Sequence, residues 1–483
     1  MKTQRQYLFS LPILIVVLVS IFVGQVSAQT LTVLHNFDGV QGMNPYAGVT
    51  LFSNVLYGTA SGPQNGNVFS VNTDGADFTV LWNFVVNPTG DGNYPTASLM
   101  VCSNVLYGTT ESGGTGGSGT AFSVNTDGTG YTKLVDFAGT NGSQPYAGMT
   151  LGSNVLYGTT TAGGTLGGGT LFEVNPDGTG YAILKNFIVT EGAAPEGNLT
   201  LSSNMLYGTT SADGTFGDYD GYASGSVFKI KTDGTGFEVL KTFSPALYDG
   251  AYNKYTNSDG ANPYGGLTLS NNVLYGTTTR GGSFGNGTVF RINTDGTGYT
   301  VLKTFSPLVN NTNSDGAFPQ AGLTLSGNVL YGTTPNGGSS GNGTVFQLYT
   351  DGTGYTVLWN FSSLDNTGGN SDGANPYAGL SLSGNVLYGT TLNGGAGSGT
   401  VFSLRLRPRI LELPIYGNSG VSNQQFQFTV TGPADSNLVI SASTDLQNWL
   451  PLATNPLTGG TLTFTDTLSP NFPSRFYRAT LLP

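Results

Sequence analysis

The chain has 483 residues, 75 of them Gly, a formal charge of −11 and only 9% charged residues, against about 25% in an average soluble domain. Aromatic residues at 11% exclude ordinary disorder, the acidic balance excludes a basic nucleic-acid footprint, and the lack of Gly at every third position excludes collagen. Gly at this density costs roughly 1 kcal/mol per helical position relative to Ala, so an all-β protein is expected.

At the N-terminus, Lys2 and Arg5 precede an apolar stretch from Leu8 to Gly24 and then Val26-Ser-Ala28. That is the layout of a cleaved export signal over residues 1–28. No Cys follows it closely, so no lipid anchor is expected; the destination is extracellular, the cell surface or the periplasm. Cys102 is the only cysteine, so no intrachain disulfide can form. Its slot holds Phe52, Gly152, Ser202, Ser270, Ser326 and Ser383 in the other repeats, which marks a tolerated strand position.

Self-similarity decides the architecture. Leu-Tyr-Gly-Thr begins at Leu56, Leu106, Leu156, Leu206, Leu274, Leu330 and Leu387. In the sixth copy Ala321–Ser326, Val329–Thr334, Thr344–Leu348 and Tyr355–Phe361 are short runs. Gly327-Asn328, a Gly-rich loop and Thr350–Gly354 separate them. Four short strands (a, b, c and d) per repeat predict a β-propeller blade. The last repeat lacks strand d, whereas a spare copy, Leu31-Thr-Val-Leu-His-Asn-Phe37, precedes the first complete repeat. Seven blades over residues 30–406 are therefore expected. The N-terminal strand should pair beside Val401–Leu406, leaving no open sheet edge. A solenoid does not explain this division of one hairpin between the chain ends.

The Leu-Tyr-Gly-Thr-Thr core, the Gly-rich loop, Gly-Thr-Val-Phe, Thr-Asp-Gly and Gly373-Ala-Asn-Pro-Tyr-Ala-Gly-Leu380 together resemble the GloVer tandem repeat of secreted bacterial choice-of-anchor proteins. The resemblance implies a secreted repeat protein and carries no activity and no catalytic residues. The chain ends Arg478-Ala-Thr-Leu-Leu-Pro483, without an apolar helix and basic tail, so anchoring by such a tail is not expected.

After Leu406 the repeat and the Gly richness stop. Alternating runs at Phe426–Val430, Leu438–Ala442, Thr461–Thr465 and Arg475–Ala479 predict a small β-sandwich over residues 411–483. Ser443–Trp449, Phe464-Thr-Asp466 and Arg475-Phe-Tyr-Arg478 make it resemble immunoglobulin-like or fibronectin type III modules, with Trp449 as core plug.

Catalytic chemistry has little to build on. His35 is the only histidine and shares its slot with Trp82, Val135, Lys185, Lys241, Lys303 and Trp359, the variety of an outer, permissive position. A Ser-His-Asp triad or a His-based zinc site is not expected, nor is any cofactor. Asn311-x-Asn313-x-Asp315-Gly316, with partial copies at Asn257-x-Asp259-Gly260 and Asn370-x-Asp372-Gly373, reads as turn chemistry. The competing reading is a calcium loop, but Gly322 stands where an EF-hand needs Glu.

Length variation gathers in the b–c and d–a loops: Ser211–Ser226, Ser244–Pro263, Ser306–Pro319 and Ser362–Pro376. Those loops emerge on one side of a four-stranded meander, and long loops on a rigid scaffold carry function. Tyr219, Tyr222, Tyr248, Tyr252 and Tyr255 lie in them, offering stacking faces and hydroxyls to a glycan or a protein surface. The expectation is a monomeric, non-catalytic binding or adhesion protein. The alternatives are a structural surface or matrix protein and a glycan-cleaving enzyme.

Overall fold

The computed structural model describes residues 29–62, 65–85, 90–212, 224–250 and 254–406, and 420–422, 425–431, 437–445, 448–456, 461–467 and 476–481 beyond them. The expected export segment, residues 1–28, lies outside the described residues. Apart from one short 3-10 turn at Val189–Glu191, the described residues hold no helix.

Seven four-stranded antiparallel sheets follow one another among the described residues. In the first, Thr50–Phe52, Val55–Ala60, Asn67–Asn72 and Thr79–Asn83 run as a meander from strand a to strand d. In the seventh, Ser381–Ser383, Val386–Thr391 and Thr400–Arg405 supply a, b and c, and Thr30–Asn36 lies beside c, with Thr30 opposite Arg405 and Asn36 opposite Thr400.

Period-2 alternation sends Leu and Tyr of each Leu-Tyr-Gly-Thr to opposite faces of its sheet, and each face meets a neighbouring sheet. Tyr57 and Val68 of the first sheet pack with Leu106 and Phe122 of the second. This repeats down the chain until Tyr331 and Val345 of the sixth sheet meet Leu387 and Phe402 of the seventh. Tyr388 and Val401 of the seventh then pack with Val49, Leu56 and Phe69 of the first. The Gly between Tyr and Thr has a packing reason. A side chain at Gly58 would start 2.5 Å from Cζ of Phe69, the residue paired with it across the strand. Burying one such Phe contributes about 1.5–3 kcal/mol.

Every outer strand carries one extra residue. The register slips between Val68 and Phe69, leaving Leu81 unpaired, and equally between Val33 and His35. A bulge bends the strand and re-aims the following side chain, so the residue after this Leu faces the next sheet.

Beyond the repeats, two three-stranded sheets are described, one with Gln425–Thr431 at its centre and one with Asn437–Ser443. Phe428, Val430, Leu438 and Ile440 form their shared core, with Phe464 and Tyr477 against it. Trp449, expected as the plug, is only half-buried; Phe428, with rings of Phe464 and Tyr477 at 5.6 and 5.3 Å, occupies that place.

Candidate functional site

The site begins with one unusual backbone position. The residue before each repeat's Pro is left-handed: Asn44, Tyr94, Gln144, Ala194, Asn262, Phe318 and Asn375 all have φ between 49° and 60°. That conformation is uncommon without Gly. It is held because each of these N–H groups donates to a carbonyl of the preceding sheet's b–c loop: Asn44 to Ser398, Tyr94 to Asn65, and Asn375 to Asn342, each at 2.8 Å. Pro then fixes the chain direction, and the next residue of every repeat reaches the same place. Tyr46, Thr96, Tyr146, Glu196, Tyr264, Gln320 and Tyr377, one from each sheet, line a cavity of about 340 Å³. The small residue that follows in every repeat, Ala or Gly, allows the sheets to converge there. A side chain at Gly48 would start 2.6 Å from the carbonyl oxygen of Gly379, and Thr390 Oγ1 of the seventh sheet donates to Ala47 O of the first at 2.8 Å.

Glu196 is the acid of this ring. Burial pushes its carboxyl up to about 7. Ser211 Oγ lies 2.9 Å from Glu196 Oε1 and 3.1 Å from Ala194 O. Ser211 Oγ can donate to either oxygen, so the proton of a protonated Glu196 is left for another acceptor. Tyr146 donates to Glu111 Oε1 at 2.7 Å. Burial, that hydrogen bond and the Glu111 and Glu196 charges hold its phenol well above the ordinary range. Tyr46 and Tyr377 stack at 5.1 Å with 26° between planes, and burial raises both phenols. Tyr264 is raised by burial and by Glu196, and Arg280 opposes that rise. Thr96 Oγ1 is buried without a hydrogen-bond partner.

Of the tyrosines singled out in the sequence, Tyr219, Tyr222 and Tyr252 lie outside the described residues. Tyr248 and Tyr255 face each other across the hairpin Leu247–Asp249 and Lys254–Thr256, ring centroids 5.6 Å apart. Tyr248 is 58% exposed, and neither lines this cavity. The sequence reading missed the ring tyrosines although the Pro-Tyr-Ala-Gly motif contains them. The available signal was a single repeat slot filled only by Tyr, Thr, Glu or Gln.

The outer slot of His35 is not permissive. The bulge aims it at the next sheet's outer strand. His35 stacks on Phe78 at 3.5 Å and 3°, Trp82 on Tyr131 at 4.4 Å and 2°, and Trp359 packs against the same core cluster as Leu31. Lys185, Lys241 and Lys303 set their ammonium groups over Phe237, Tyr299 and Tyr355 at 4.2, 4.9 and 4.5 Å, a favourable cation–π geometry. His35 Nε2 is buried without a partner, whereas the polar tip of each of these Trp and Lys side chains finds an acid in the following loop. Trp82 Nε1 donates to Asp91 at 3.2 Å and Trp359 Nε1 to Asp372 at 2.9 Å. Lys241 pairs with Asp259 at 2.6 Å, Lys303 with Asp315 at 2.5 Å, and Lys185 with Glu191.

The same pairing supports the turn reading of the Asn/Asp-Gly motifs. Asp315 is engaged by Lys303 and by Ser306 N at 3.1 Å. Asn313 Oδ1 accepts from Gly316 N at 2.8 Å and Gly338 N at 2.9 Å. The same bonds recur at Asn257 and Asn370. These side chains close turns and hold neighbouring loops together. Among the described residues no group of three His, Cys, Asp or Glu side chains is placed to hold a metal.

The sequence profile of the Gloeobacter/Verrucomicrobia repeat matches residues 19–222 and 220–438. No curated protein matches the chain by the same standard of significance. Solved structures with a similar course are distant. An oligogalacturonate lyase from Vibrio parahaemolyticus is 9% identical, with 79% of this chain and 95% of that one covered at a TM-score of 0.47. A putative 6-phosphogluconolactonase from Bacteroides fragilis is 13% identical, with 86% and 98% covered at 0.43. A putative TolB from Agrobacterium tumefaciens is 10% identical, with 72% and 100% covered at 0.38.

Proposed function

The chain belongs to the Gloeobacter/Verrucomicrobia repeat family, and from that premise we propose that it is an exported, non-catalytic binding or adhesion protein. Its seven sheets are the blades of a closed propeller, residues 30–406, with Thr30–Asn36 as the outer strand of the last blade. Residues 411–483 form a separate β-sandwich, and residues 1–28 direct export. The contact face carries the b–c and d–a loops and, at its centre, the mouth of the axial cavity. The ligand is a glycan or a protein surface.

One observation carries this reading. Each of the seven sheets delivers one side chain to the same cavity, and one of them, Thr96, carries a buried hydroxyl that the fold leaves unmatched. Pockets of roughly 300–1,000 Å³ lined by aromatic groups and a few placed polar ones are the usual form of a small-ligand site. A glycan and protein-partner array tests it, run on the wild type and two variants. One replaces Tyr46, Tyr146, Tyr264 and Tyr377 by Ala; the other replaces Tyr219, Tyr222, Tyr248, Tyr252 and Tyr255 by Ala. Binding lost in either variant supports a contact face and says which part of it matters. An absence of binding by the wild type favours a purely structural surface or matrix protein.

A second reading has its own observation. Glu196 lines the cavity and Glu111 is held beside it through Tyr146, and two carboxyl groups in different environments are the equipment of glycan cleavage. Product formation from a bound glycan, abolished by Glu196→Gln, moves the assignment to that enzyme.

A further inference from the structure

We propose that the axial ring is a socket for one uncharged pyranose unit of a glycan, an inference that rests on the binding reading above and names its ligand class. The ring alternates. Tyr46, Tyr146, Tyr264 and Tyr377 occupy four of its seven slots, and Thr96, Glu196 and Gln320 stand singly between them in sheet order. Because seven is odd, two tyrosines must be neighbours once. Those are Tyr377 and Tyr46, the pair stacked at 5.1 Å. A pyranose has the complementary layout: flat C–H faces that rest on aromatic rings, and hydroxyls around its edge that need partners able both to donate and to accept.

Thr96, Gln320 and protonated Glu196 each do both. Thr96 Oγ1 has no partner within the protein, which is costly for a buried hydroxyl unless a ligand or water completes it. The volume, about 340 Å³, is at the small end for ligand pockets and suits one or two sugar rings, not a buried chain.

Charge separates neutral from acidic sugars. No Lys or Arg lines the cavity. Glu196 faces it, bonded to Ser211, and its charge reaches Tyr46, Tyr146 and Tyr264; that of Glu111 reaches Tyr46 and Tyr146. Arg280 is not among the lining residues, although its charge opposes the rise at Tyr264. Where Glu196 is ionised, a uronate or sulfated sugar would therefore meet like charge without a lining cation, whereas a neutral sugar meets hydrogen-bonding groups in either state. Burial holds the Glu196 carboxyl at about 7, so the proton it donates to a hydroxyl is lost between mildly acid and mildly alkaline conditions.

The test is calorimetric titration of the full chain with methyl glycosides of glucose, galactose, mannose and N-acetylglucosamine, and with glucuronate and galacturonate. At least one neutral glycoside should bind, and the uronates should bind about tenfold more weakly or not at all. Tyr377→Ala and Tyr46→Ala should each weaken binding about tenfold, with Tyr377→Phe close to wild type and a thermal melt showing all three folded. Neutral-sugar affinity should fall on raising the pH from about 6 to about 8, and Glu196→Gln should remove that dependence. Uronates binding as tightly as neutral sugars, binding unaffected by both Tyr→Ala variants, or no sugar binding at all would overturn the socket. A glycan or protein whose binding is lost only on changing the loop tyrosines would also overturn it while leaving the binding function standing. A wild type that binds nothing on the array removes both.

Discussion

Two slots of the repeat change their residue from sheet to sheet, one on the outer strand and one beside the axis. The outer slot runs through His35, Trp82, Val135, Lys185, Lys241, Lys303 and Trp359, and all but one of its polar tips are matched inside the protein, as Lys241 is by Tyr299 and Asp259. The inner slot runs through Tyr, Thr, Glu and Gln, and its side chains line one common cavity. Variation alone therefore says nothing about permissiveness. What distinguishes the slots is whether the fold uses the varied group. A used group contributes to stability; an unused one is available to a ligand.

Substitutions should separate the slots by what they damage, and the largest effect is expected where the outer strand of His35 enters the core. Phe37 is fully buried and packs on Phe69 at 5.3 Å. Phe37→Ala should lower unfolding stability by about 3–5 kcal/mol in denaturant melts, while Tyr377→Ala at the axis stays within about 1 kcal/mol. Equal losses at the two positions would erase the distinction.

Next in size is the acid behind the outer slot. Asp259→Ala leaves Lys241 over Tyr299 without its carboxylate and should cost about 2 kcal/mol. Adding Lys241→Met should recover much of that loss, because removing both partners avoids an unpaired charge. Additive losses in the double variant would mean that the two residues do not act as a pair.

The pH dependences of the two slots should have opposite signs. Burial lowers His35 from 6.5 to about 4, so between those values the unfolded chain binds more protons and stability rises with pH. Burial raises Glu196 from 4.5 to about 7, so across that window the folded chain binds more protons and stability falls as pH climbs. Urea midpoints between about pH 4 and 8 should lose the first slope in His35→Phe and the second in Glu196→Gln. Identical profiles in the two variants would contradict both assignments.

The smallest effect is expected on the hairpin. Tyr248 is 58% exposed, and Tyr248→Ala should change stability by no more than about 0.5 kcal/mol. A clear drop in melting temperature would make that hairpin part of the framework.

Much of the framework was legible before any coordinates. Leu-Tyr-Gly-Thr, the Gly-Asn and Asp-Gly turns and the spare strand Leu31–Phe37 announce four short strands per repeat, because alternation and turn chemistry act within a few residues. The site was far less legible. The loop tyrosines stand outside the repeat and so stand out, whereas Tyr46, Tyr146, Tyr264 and Tyr377 lie inside one of its recurring motifs. His35 was misjudged for a related reason: its partner Phe78 belongs to another sheet, and the bulge at Leu34 that turns the ring toward it leaves no mark in the alternation.

Strand, turn and repeat length are thus written locally, in residues that touch within one hairpin. Which repeat slots meet is a different matter. Tyr46 and Tyr377 are brought together only when the last sheet packs on the first, as Thr390 does on Ala47. The raised carboxyl of Glu196 exists only once the packed sheets have buried it. Desolvation and long-range contact are properties of the assembled sheets, and so the site's chemistry could be decided only by tertiary structure.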